Sequence, residues 1–186
     1  GLDRFPLLGV SQGAAVAVAY AARHPARVSR LILMGGFATA YFSSSSNNPR
    51  AIEEGETLIS VAKLGWGTAS PAFRQVFTAK FAPDATVEQQ HAFDEYQRAA
   101  VTPEMAVRCL RAMFSIDVRE EAAGVRCPTL VFHVRGDQIA GFEKGRRLAA
   151  LIPGARFVPL EGNNHVPFAT EPAWAIFRDE SLGFLG

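Results

Sequence analysis

Gly9-Val10-Ser11-Gln12-Gly13 constrains this chain more than any other five residues. An apolar run, Phe5-Pro6-Leu7-Leu8, enters the motif, and a small-residue stretch, Ala14 to Arg23, leaves it. The order reads as a buried strand over Phe5 to Val10, a sharp turn and a helix. A glycine-flanked serine in that setting is lifted out of the edge of a sheet with its hydroxyl open to a pocket. Side chains at Gly9 or Gly13 are expected to collide where the helix folds back on the strand. Ser11 itself is expected to take a strained backbone conformation. Gly and Ser are common in turns, so the flanking strand and helix are what make the pattern specific.

The rest of the chain repeats the alternation. Val28 to Met34 reads as a second buried strand, ended by Gly35-Gly36. Thr129 to Val134 and Arg156 to Leu160 read as two more. Helices are expected over Gly13 to His24, stopped by Pro25, over Glu143 to Ile152, stopped by Pro153-Gly154, and over Glu171 to Leu185. Strand–helix alternation implies a mostly parallel sheet with helices on both faces, an α/β fold.

Between these blocks the pattern changes. The polar stretch Ser43 to Asn48 reads as a loop, and Ala51 to Val118 is mostly helical in pattern. Thr86 and Gln89 fit a capping box, and Thr102-Pro103 fits an N-cap followed by proline at the first helical position. The expected organisation is a core of residues 1–36 and 119–186, interrupted by a loop and helical insertion over 37–118. Leu64, Trp66, Phe73, Phe77, Phe81, Phe93, Tyr96, Met105, Leu110, Met113 and Phe114 are expected to form the insertion's own core and its contact with the main sheet, with a subset available to line a pocket as a lid over Ser11.

The chain has 186 residues, 48% of them hydrophobic and 20% charged, enough for one domain with a real core. Its net charge of +1 provides no attraction for nucleic acid or a membrane surface. No apolar run is long enough to span a bilayer, and no secretory leader is recognisable. Cys109 and Cys127 lack the spacing of a metal site and are expected to be reduced and buried in a cytoplasmic protein. No metal or other cofactor is implied.

A serine hydroxyl is a weak nucleophile and needs a base, which in turn needs an orienting acid. Of the four histidines, His24 caps a helix C-terminus, His91 falls on the helical insertion and His133 lies inside a strand. His165 lies in Glu161-Gly162-Asn163-Asn164-His165-Val166-Pro167, just after the last strand. In a parallel sheet the loops after the strands gather at one edge, beside Ser11. Asp137, in Arg135-Gly136-Asp137 after the third strand, reaches the same edge. The candidate set is therefore Ser11 as nucleophile, His165 as base and Asp137 as the acid that orients it. The backbone N–H of Gln12 is the candidate oxyanion donor, and Gly9 and Gly13 shape the turn.

On these blocks the chain resembles the α/β-hydrolase fold family. The matching residues are Gly9 to Gly13, Arg30 to Met34, His133 to Asp137 and Glu161 to His165. The segment Trp66 to Val118 is similar to the cap of a subgroup that occurs as free hydrolases and fused to bacterial transcriptional regulators or cyclases. The family places about four strands and two helices, roughly 80–100 residues, ahead of the serine turn, including a loop with a second oxyanion donor. This sequence starts at the strand that feeds the turn, so a piece of a longer fold is expected. A missing strand would leave an edge for pairing with that segment or with a second copy.

The resemblance implies a serine hydrolase acting on a small ester or related acyl substrate, carboxylesterase-like. Two alternatives stay open. One is a ligand-sensing domain of a bacterial regulator that retains the pocket. The other is cofactor-free haloperoxidase or perhydrolase chemistry with the same residues.

Overall fold

The computed structural model describes residues 1–43 and 48–186. Ser44 to Asn47, within the stretch read as a loop, lie outside the described residues. The elements in chain order are β1 (Phe5–Val10), α1 (Gln12–Arg23), β2 (Val28–Met34), α2 (Pro49–Gly65), α3 (Ala72–Phe81), α4 (Val87–Ala100), α5 (Pro103–Phe114), α6 (Arg119–Gly124), β3 (Thr129–Val134), α7 (Phe142–Leu151), β4 (Arg156–Leu160) and α8 (Pro172–Leu185). Two compact units divide the chain: residues 1–38 with 117–186, and residues 39–116.

The first unit holds a four-stranded sheet in the order β1-β2-β3-β4, every neighbouring pair parallel. Alternation along the strands sorts side chains to two faces. Leu31, Leu33 and Val131 join Ala14, Ala17, Val18, Ala122 and Leu148 from α1, α6 and α7. Ile32, Met34, Leu130 and Phe132 join Ala173 and Phe177 from α8. Helices therefore cover both faces, which is why β3 is buried along its whole length.

β1 behaves differently, with burial that rises and falls along it. Its pairing with β2 slips between Phe5 and Leu7, at Pro6. Proline has no N–H to give a ladder, so it is tolerated where the pairing is already irregular. Among the described residues β1 pairs only with β2.

The second unit is helical. Its N-caps follow the sequence reading: Thr86 and Gln89 form a reciprocal capping box, and the Thr102 side chain accepts from the Met105 N–H. Leu58, Ile59 and Phe114 form its apolar centre, with Phe42, Phe77 and Met113 packed against them. Leu64, Phe73, Tyr96 and Met105, expected in that core, are exposed instead. A polar knot supplements the apolar packing: Arg74, fully buried, donates to the carbonyls of Trp66, Thr68 and Asp94. Thr78 donates to the Asp94 carboxylate and accepts from Gln97. Cys109 on α5 is exposed, against the expectation that both thiols are buried; Cys127 is buried beside β3. The thiol of Cys127 is pushed up by burial.

Candidate active site

The turn after β1 is tight because of where its backbone goes. Ser11 has φ 54° and ψ −128°, a left-handed conformation that side-chain-bearing residues rarely adopt, and it is the only non-glycine residue with positive φ among those described. Its N–H donates to the Met34 carbonyl at 2.8 Å, and its own carbonyl accepts from the Ala14 N–H at 3.0 Å. Those two bonds tie the serine to the end of β2 and the first turn of α1. Such strain persists only where surrounding structure holds it, as it commonly is at reactive sites.

Gly9 makes that geometry possible. A Cβ there would lie 2.7 Å from the Ala14 Cα and 2.7 Å from the Gly13 carbonyl oxygen, both backbone atoms that cannot step aside. Gly13 carries no such load, contrary to the sequence expectation: a Cβ there meets nothing within 4 Å. The helix turns away before Gly13, so the crowding falls on the strand side alone. Gly9→Val is therefore expected to destabilise the protein by about 1–3 kcal/mol or more, while Gly13→Ala leaves stability nearly unchanged. Denaturant midpoints of the two variants check this.

Asp137 and His165 come together because their loops are stitched to each other. The Arg135 N–H donates to the Leu160 carbonyl and the Gly136 N–H to the Gly162 carbonyl, each at 2.9 Å. At Gly136 any Cβ would strike Asn163 Oδ1 at 2.1 Å. This close approach brings His165 Nδ1 to 2.7 Å from Asp137 Oδ2. Both side chains are fully buried. The other carboxylate oxygen, Oδ1, accepts the N–H groups of Ile139 at 2.8 Å and Ala140 at 3.0 Å. Burial pushes against the charge on Asp137, but hydrogen bonds from His133 and His165 outweigh it and hold the carboxyl well below the usual carboxylate range.

Ser11 shares this edge. Gly35 follows the residue that anchors Ser11 and has φ 61°; a Cβ there would sit 2.8 Å from His165 Cε1. The imidazole thus lies against the backbone step next to the Ser11 anchor. Gln12 opens α1, where the first backbone N–H groups of a helix have no intrahelical acceptor and are free for an anionic oxygen.

Three contributors were not read from the sequence. Gly35 is one, seen there only as a strand terminator. His133, placed by the sequence inside a strand, lies with Nε2 3.1 Å from Asp137 Oδ2. Its position four residues before the acid and near the end of the strand was the available signal. Glu171, at the N-cap of α8, accepts from Asn164 Nδ2 at 2.8 Å and from the Phe168 N–H at 2.7 Å, so it clasps the loop on both sides of His165. Glu171→Ala is expected to loosen this loop, raising hydrogen exchange at its backbone amides about tenfold, with Glu171→Gln largely retaining protection. Hydrogen-exchange rates of both variants check this. His24 and His91 are exposed.

The chain has recognisable relatives. A model of the alpha/beta hydrolase fold family matches residues 1–172. The RutD protein of Klebsiella pneumoniae (strain 342), whose name assigns it carbamate hydrolysis, is 28% identical over 174 residues, 92% of this chain and 62% of its own. The AB hydrolase superfamily protein YisY of Bacillus subtilis (strain 168) is 29% identical over 174 residues, 91% of this chain and 63% of its own. Among solved structures, an esterase from Exiguobacterium antarcticum matches with a TM-score of 0.81 at 24% identity, covering 96% of this chain and 65% of that one. That last likeness is one of fold. The chain spans less than two thirds of the length of each of these proteins.

Proposed function

Because the chain belongs to the alpha/beta hydrolase fold family, we propose that it carries the reaction centre of a serine hydrolase that cleaves a small ester or related acyl substrate. The observation that carries this reading is the 2.7 Å contact between Asp137 and His165 at the sheet edge where Ser11 stands at φ 54°. In the proposed mechanism Ser11 Oγ attacks the substrate carbonyl while His165 Nε2 takes its proton. Asp137 accepts the Nδ1–H, which fixes the tautomer that leaves Nε2 basic. The same carboxylate stabilises the imidazolium as it forms. The Gln12 N–H donates to the oxyanion of the tetrahedral intermediate, a contribution of about 2.7–4 kcal/mol per donor in such sites. Collapse of the intermediate expels the alcohol, protonated by His165, and leaves an acyl group on Ser11. Water, activated by the same histidine, then releases the acid.

A carbamate, the substrate class in the name of the Klebsiella relative, presents the same kind of carbonyl and falls within the proposed range. A fluorophosphonate probe supplies the test, since it phosphonylates only a serine that a base has activated. One adduct per chain, mapped by mass spectrometry to Ser11, is the expected result. An adduct elsewhere, or none, would remove Ser11 from the chemistry.

A further inference from the structure

Asp137 Oδ2 has two imidazole neighbours. His165 Nδ1 lies at 2.7 Å and His133 Nε2 at 3.1 Å. His133 Nε2 also contacts the Ala140 carbonyl oxygen. A carbonyl can only accept, so the hydrogen on His133 is on Nε2, and it is shared between that carbonyl and the carboxylate. The opposite nitrogen, Nδ1, is buried with no hydrogen-bond partner. It faces Gly145 on α7, where a Cβ would lie 2.2 Å away. A second proton on that nitrogen would meet backbone with no acceptor, a costly burial. The neutral form of His133 is therefore able to donate to Asp137.

We propose that His133 is a positioning residue that shares Asp137 Oδ2 with His165 and so sets both the direction and the strength of the carboxylate's hold on the base. This inference rests on the reading of Ser11, His165 and Asp137 given above. Its physical basis is competition. Asp137 receives four donors: Ile139, Ala140, His133 and His165. Two of them use the same oxygen, so each has less of it. Removing His133 lets Oδ2 turn fully to His165, which strengthens that bond in its charge-separated form and favours the imidazolium. It also frees the carboxylate to rotate about its side chain. Gly145 is part of the device, because only a glycine there leaves room for the ring.

The charged groups around His133 are few. The acid loop contributes Asp137 itself and Arg135, whose guanidinium lies 4.9 Å from the centre of the Phe142 ring that in turn faces His133. The loop after β4 contributes His165. From α7, Glu143 pairs with Arg146, and Lys144 lies over the Phe37 ring. Opposite His133 in the sheet, β4 presents Pro159, which has no charge.

The first experiment needs no variant. Two-bond ¹H–¹⁵N spectra of the wild-type protein should show His133 as the neutral Nε2–H tautomer throughout the pH range in which His165 titrates. A His133 that gains charge in that window overturns the proposal. The second compares His133→Leu, His133→Gln and Gly145→Ala. In His133→Leu, the pH profile of the His165 ring-proton resonances is expected to be displaced toward higher pH. The acid limb of kcat/KM for an ester substrate should move with them, and kcat should fall about tenfold with KM unchanged. His133→Gln keeps an N–H donor at a similar reach and should restore both. Gly145→Ala, which displaces the ring, should shift the profile in the same direction as His133→Leu. An unshifted titration with activity lowered equally in His133→Leu and His133→Gln would make His133 a packing residue only. The spectra report on His165 whether or not the protein turns over substrate. A wild-type chain that fails to react at Ser11 would therefore sink the catalytic reading and leave the His133 test intact.

Discussion

Replacing Ser11 with alanine is expected to abolish fluorophosphonate labelling and to lower kcat for an activated ester by a factor on the order of 10⁵ to 10⁶. KM should change little, because in the proposed mechanism the hydroxyl contributes to bond making and little to ground-state binding. The fold should survive. Alanine at this position keeps the left-handed strain at φ 54° but also keeps the two backbone hydrogen bonds to Met34 and Ala14, and it adds no atom to the turn. A folded, unlabelled and inactive variant is the expected combination. Labelling that persists in the folded variant would exclude Ser11 as the nucleophile, and a variant that unfolds would show that the hydroxyl serves the turn.

Asp137→Asn is expected to cost about 10⁴ in kcat, for a reason visible in the hydrogen-bond directions. The Oδ1 position accepts two backbone N–H groups, so the amide oxygen of asparagine will sit there. Its NH₂ group then faces His165 Nδ1 and His133 Nε2, both of which donate in the native arrangement. His165 can relieve that clash only by moving its proton to Nε2, which removes the base that the proposed mechanism gives Ser11. The same substitution changes how stability depends on pH. Asp137 is depressed in the folded state. Its contribution to stability is therefore fully present above the ordinary carboxylate range, near pH 4, and is lost as pH falls toward the folded value. Wild type should lose stability more steeply than Asp137→Asn on acidification below about pH 4. Urea denaturation of both proteins between pH 2 and pH 7 tests this, and parallel curves would mean that the carboxylate gains nothing from its four donors.

Legibility followed the range of the interactions involved. β1, β2, β3 and β4 have the bounds that their apolar runs suggested, and the helix ends moved by a residue at most where proline or a capping box marked them. These signals are local: an apolar run, a missing N–H, a side chain reaching three residues along. The loop positions of Asp137 and His165 were legible for a topological reason, since parallel strands send their following loops to one edge. Gly13 was misjudged because crowding at a turn depends on which side the helix leaves, and the motif does not encode that. Cys109 was misplaced because one residue's phase on α5 decides between core and solvent.

By itself the sequence determined the alternation of strands and helices, the parallel sheet and the three candidate residues at its edge. Each of those follows from periodicity and chain order. Tertiary structure alone decided how the acid is held. His133 reaches Asp137 across a turn, Glu171 clasps the histidine loop from the start of α8, and Gly35 yields its side-chain space to His165. Each is a contact set by side-chain direction and the packing of separate elements at ångström distances, and neither quantity is carried by a pattern of residue types along the chain.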